Sequence, residues 1–162
     1  MKIPQNGKII NVQRLLFLLS FLTFGIGDGI TSVYMMEKTG VIRESNPIIR
    51  FMYISSGGQG VIEIKIWFSF VILFLVWLTS RGKNMYWTVN GFLFALFLMG
   101  LMAMWANMIA ASGMMPPPPS SIIITYLFLV IFLIFIGDLI DKMHDNDIKI
   151  RRNPDRRRAS AP

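Results

Sequence analysis

The sequence predicts an all-α integral membrane bundle: four transmembrane helices, with a short interfacial helix in the first outer loop. Three observations carry this. Apolar residues make up 54% of the 162-residue chain and charged residues only 15%, a skew that separates membrane chains from soluble ones. Four runs are long enough, at about 1.5 Å per residue, to cross about 30 Å of hydrocarbon. The breaks between them are short or rich in Pro, Gly and Ser, so no separate soluble domain fits. The bundle is expected over 1–150, and 151–162 is expected to be a disordered, basic cytoplasmic tail.

A short basic stretch with Lys2, Lys8 and Arg14 precedes span one, Leu15–Met36. That apolar run is too long for the core of a signal peptide and no small-x-small cleavage site follows it, so it reads as a retained span. The longest loop, 37–60, contains Asn46-Pro47, an N-cap followed by proline at the first helical position. The apolar residues after it, Ile48 to Ile54, are too few to cross and fit a helix lying in the interface. Ser55-Ser56-Gly57-Gly58 should break that helix. Span two is about Val61–Thr79, followed by the polar turn Arg81-Gly82-Lys83-Asn84. Span three is about Trp87–Ala111. Pro116 to Pro119 reads as a polyproline II spacer. Span four is about Ile122–Ile140, after which the chain turns charged.

Twelve of the sixteen basic residues fall on one side of this topology; the exceptions are Lys38, Arg43, Arg50 and Lys65. Both termini are therefore expected in the cytoplasm, with the protein multi-pass in the plasma membrane. The net charge of +7 sits in tails and loops. It points to anionic lipid rather than nucleic acid, with Arg151, Arg152, Arg156, Arg157 and Arg158 as candidate headgroup contacts. A membrane-protein partner or a second copy of the chain is a further expectation. With no cysteine and one histidine, His144, disulfides, thiolate chemistry and His-pair metal sites are excluded. No metal and no cofactor are expected.

Chemistry concentrates in the outer half. Asp28 lies inside span one, roughly 12 Å from its outer end. A carboxylate at that depth needs a partner, a cavity or a pathway. Gly25 and Gly29 share its face and allow another helix to approach closely. Lys65, near the start of span two, is the natural partner, with Ser69 on the same face. Asn107, beside Ala103, Ala106 and Ala110, and Thr125 lie at similar depths in spans three and four. All four spans would thus offer a polar group to one outward-facing cluster. The same residues also fit a structural ion pair or a snorkelling lysine. Glu44 is expected near the surface, with little part in folding. Asp138, Asp141, His144 and Asp145 read as ordinary helical neighbours, in i, i+4 pairs Asp138–Lys142 and Asp145–Lys149. The Met and Phe residues of span three read as packing or lipid-facing.

Asp28-x-x-Thr31, Glu44-x-Asn46-Pro47 and Lys65 leading a span resemble a widespread prokaryotic family of small polytopic membrane proteins carrying a domain of unknown function. The likeness covers roughly 15–80. It implies that Asp28, Thr31, Glu44, Asn46, Pro47 and Lys65 act together, and it implies no activity. The functional expectation is a binding, transport-related or assembly subunit with an intramembrane polar cluster formed by Asp28, Thr31, Glu44, Asn46, Lys65 and Asn107. The alternative is an intramembrane, hydrolase-like enzyme with Asp28 and Glu44 as acid and base.

Overall fold

Long apolar runs in a chain without strand signals dictate helices, because hydrocarbon offers the backbone no hydrogen-bonding partner. The computed structural model describes residues 6–81 and 85–152, and its elements are helical throughout. In order they are α1 (Asn6–Ser20), a π-helical segment (Phe21–Gly27), α2 (Asp28–Thr39), a 3-10 turn (Val41–Arg43), α3 (Pro47–Thr79), α4 (Tyr86–Ala111) and α5 (Pro119–Arg152). Four helices are long and apolar enough to cross a membrane: α1 with its π segment and α2 as one, then α3, α4 and α5.

Each boundary has a local cause. Gly40 ends α2 at φ 92° while its N–H donates to the Met36 carbonyl. Asn46 caps α3 by accepting from the Ile48 N–H at 3.0 Å, with Pro47 at the first position. The short helix expected after Asn46-Pro47 is the first limb of α3. It joins span two across a kink at Gly57, whose φ of 67° suits a residue without a Cβ. Gly113, at φ 82°, follows the end of α4. Pro119, expected in the polyproline spacer, instead opens α5, where its fixed φ suits a helix start.

Several expectations change. Span one is wider than 15–36: the helix includes residues from Asn6 and runs on to Thr39. Its middle is π-helical, so the Asp28 N–H donates to the Thr23 carbonyl, five residues back. Arg151 and Arg152 lie at the end of α5 rather than beyond it. Arg156, Arg157 and Arg158 lie outside the described residues, as do Gly82, Lys83 and Asn84.

Two apolar clusters hold the bundle. One joins Val33, Met35 and Met36 to Ile49, Val61 and Ala110. The other joins Leu73, Val89, Leu93 and Leu96 to Leu16, Phe17 and Phe21. In the first three spans the polar candidates Asp28, Lys65 and Asn107 lie between these clusters. Phe68, Phe70, Phe74, Phe128, Phe132 and Phe135 are exposed, as expected of side chains that face lipid.

Backbones approach closely where side chains are absent. A Cβ on Gly100 would lie 2.5 Å from the Phe24 nitrogen, and one on Gly137 would lie 2.5 Å from the Trp87 carbonyl. α5 packs chiefly on α4, and Asp141, in the later part of α5, pins the start of α4. That carboxylate, 6% exposed, accepts from the Trp87 and Thr88 N–H groups at 2.9 Å each and from the Thr88 hydroxyl at 2.8 Å. The first N–H groups of any helix need acceptors, and Met85 supplies none. Asp141 is therefore a helix cap delivered from another span, not a solvated helical neighbour as expected. The Asp138–Lys142 pair does form, at 2.6 Å on the exposed face.

Candidate functional site

The site begins with the π segment. Asp28 follows that segment directly, its N–H bonded to the Thr23 carbonyl five residues back, and Gly25 and Gly29 lie on either side of it in the chain. Those glycines admit α3: Gly25 abuts Ser69, and a Cβ on Gly29 would meet the Ile62 Cα at 3.5 Å and the Lys65 Cβ at 3.8 Å. Ser69 is fully buried there. The close approach brings the Lys65 Nζ to 2.8 Å from Asp28 Oδ2 and 3.3 Å from the Asp28 carbonyl.

The third span completes the layer. Asn107 Nδ2 donates to Asp28 Oδ1 at 3.0 Å and to Thr31 Oγ1 at 3.1 Å. The Thr31 hydroxyl in turn donates to the carbonyl of Gly27, the last residue of the π segment, at 2.9 Å. Three spans thus place an acid, a base, an amide and a hydroxyl in one connected network. The fourth does not join: Thr125, expected at the same depth, is exposed. Equal depth does not imply a shared face, and α5 presents other residues to α4.

Glu44 departs furthest from expectation. It is 9% exposed, not superficial. Its Oε2 accepts from the fully buried Ser32 hydroxyl at 2.8 Å and its Oε1 from the Asn46 N–H at 2.8 Å. Arg50 closes the loop by donating Nε and Nη2 to the Glu44 carbonyl, at 3.2 and 2.6 Å. The Glu44-x-Asn46-Pro47 stretch is therefore a clasp. Glu44 ties it to span one, and Asn46 and Pro47 start the next helix.

The ion pair is not sealed. Asp28 and Lys65 side chains are each 15% exposed. With Glu44, Asn46, Ile48 and Ile64 they line a cavity of about 290 Å³. A larger groove of about 640 Å³ lies on the other side of Asn107, and Glu44 borders both. Within this arrangement all four carboxylate oxygens of Asp28 and Glu44 already accept hydrogen bonds. Among the described residues, no three of the His, Asp and Glu side chains gather as a metal ion requires. Glu63, at the start of span two, is exposed and accepts from Gln59 at 2.8 Å.

Four membrane-length helices, three of which meet at a layer of polar groups, define a small multi-pass membrane protein. The chain belongs to the family described as Domain of unknown function (DUF5658), whose sequence pattern matches residues 19–113. That stretch runs from the end of α1 through α4 and contains every member of the polar layer, while α5 lies beyond it. No curated protein and no solved structure gives a match.

Proposed function

We propose that this protein is a binding subunit of the plasma membrane, with both termini cytoplasmic, whose Asp28–Lys65–Asn107 layer holds a small polar ligand or a polar group of a membrane partner. One observation carries the reading: an ion pair at membrane depth borders an open cavity of about 290 Å³ instead of being packed over. A purely structural pair often gives way to packed apolar residues of similar volume, because desolvating two ions offsets their attraction. Here Lys65 keeps donor capacity toward the cavity, and Asn46 and Glu44 border the same space. A ligand carrying an amine, an acid or both finds complementary groups on its wall. The distribution of basic residues supports the orientation, and the resemblance supports a prokaryotic plasma membrane.

The enzyme reading draws on Asp28 and Glu44 bordering one cavity. Binding is favoured over it, because both carboxylates are engaged in structural contacts, Asp28 with Lys65 and Asn107, and Glu44 with Ser32 and the Asn46 N–H. The test is ligand-induced stabilisation in detergent, with amino acids and polyamines as probes. A ligand that binds only the folded state raises its stability by an amount set by concentration over Kd. Wild type should gain stability with at least one probe, and Lys65→Met or Asn107→Ala should lose that gain. No gain in wild type across both classes counts against the proposal.

A further inference from the structure

We infer that the groove on the far side of Asn107 is a binding site for a membrane phospholipid with an anionic headgroup. This inference shares Asn107 and Glu44 with the ligand site above, but it turns on Arg43 and the apolar wall and stands without that reading. The groove, about 640 Å³, lies between α2, the 3-10 turn, α4 and the start of α5. Its volume falls in the range of about 300–1,000 Å³ typical of small-molecule sites. Most of its wall is apolar, with Met35, Ala103, Ala106, Ala110, Ile122 and Ile123 contributing. The alanines keep α4 thin, and the proline run sets the start of α5 away from α2. A cleft of this kind between spans suits an acyl chain.

The polar end specifies the headgroup. Arg43 borders the groove and is exposed, and among the described residues no carboxylate pairs with it. Its planar fork of donors matches phosphate oxygens. Asn107 also borders the groove; its Nδ2 is committed to Asp28 and Thr31, which leaves Oδ1 as an acceptor for a headgroup hydroxyl or amine. Glu44 contributes a negative charge nearby, but its oxygens are held by Ser32 and the Asn46 N–H. Arg50, bound to the Glu44 carbonyl, adds a compensating positive charge. A zwitterionic lipid would satisfy the apolar wall equally well, so Arg43 is what selects the anionic one.

The test uses the purified full chain in detergent, with phosphatidylglycerol and phosphatidylcholine of identical acyl chains, and native mass spectrometry as the readout. Wild type should retain phosphatidylglycerol over phosphatidylcholine by roughly tenfold, the scale of a charge-assisted hydrogen-bonded contact. Arg43→Gln, an exposed change that leaves the packing intact, should abolish that preference. Ala103→Trp, which fills the groove, should lower retention of both lipids. Removing 153–162 should leave the preference unchanged. Equal retention of the two lipids by wild type, or an undiminished preference in Arg43→Gln, overturns the inference. So does loss of the preference when the tail is removed, which would place the selectivity there. Competition by free glycerol phosphate would identify a phosphate site rather than a lipid site and also overturns it.

Discussion

Consider Asp28→Asn and Lys65→Met, made singly and together. The two charges stand 2.8 Å apart with 15% of each side chain exposed. At an effective dielectric constant of about 20, Coulomb attraction at that distance is about 6 kcal/mol. Desolvating two ions offsets most of it, so the intact pair adds little net stability, whereas removing one end strands the other at a cost of about 3–5 kcal/mol. The network makes the singles unequal. Asp28→Asn leaves Lys65 with the Asp28-position carbonyl, an existing 3.3 Å contact, and an amide oxygen. Lys65→Met leaves a carboxylate with Asn107 as its remaining donor from another helix. Lys65→Met should therefore be the more damaging single change, toward 5 kcal/mol, and the double variant should be more stable than it. The coupling energy should exceed about 2 kcal/mol, well above the average of about 0.6 kcal/mol for neutral contacts between membrane helices. The assay is reversible unfolding in mixed micelles, followed by the fluorescence of the four tryptophans. Additive losses, or a coupling no larger than that of a neutral contact, would show that the pair does not form and refute the reasoning.

Other expected outcomes follow from the same contacts. Asp141→Ala should destabilise the protein by about 2 kcal/mol, the upper range for a lost helix cap. Micellar unfolding checks this, and a loss below about 0.5 kcal/mol would contradict the capping role. Ser32→Ala and Glu44→Gln should each cost about 1–3 kcal/mol, because each leaves a buried polar group without its partner; the same unfolding measurement decides. Glu44 thus acts first on folding, and a Glu44 phenotype cannot by itself be read as function. Reporter fusions after Lys83 and Lys149 should read cytoplasmic and one in the 113–121 loop external; an external C-terminus would contradict the topology.

The four-span architecture was legible because hydrocarbon demands long helices, and the chain writes their length directly. Asp28, Lys65 and Asn107 were legible by counting depth along separate spans. Thr125 shows where that method fails, since depth carries no information about which face a helix turns inward. Glu44 was misread because loop position suggests the surface. Only the partner Ser32, twelve residues back on the face that also carries Asp28, reveals that the loop folds inward. Nearby charges on its own helix mask the role of Asp141. The available signal lay elsewhere: α4 begins at Met85-Tyr86 with no capping side chain, so its N–H groups required an acceptor from another part of the chain. The π segment left no trace in the apolar pattern, because an extra residue in a run of Phe, Leu, Ile and Gly does not change its composition.

The central claim is that the polar layer opens into a cavity reached from outside the membrane. The natural chain has no cysteine, so a single introduced thiol reports its own surroundings. Ile64 borders the cavity beside Lys65, while Ser69, one turn further along α3 from Lys65, is fully buried against Gly25. Ile64→Cys and Ser69→Cys are to be treated, in intact cells, with a membrane-impermeant cationic methanethiosulfonate. The account predicts rapid modification at position 64 and much slower modification at position 69. Protection of both positions, or modification at 64 only after the membrane is permeabilised, would contradict it.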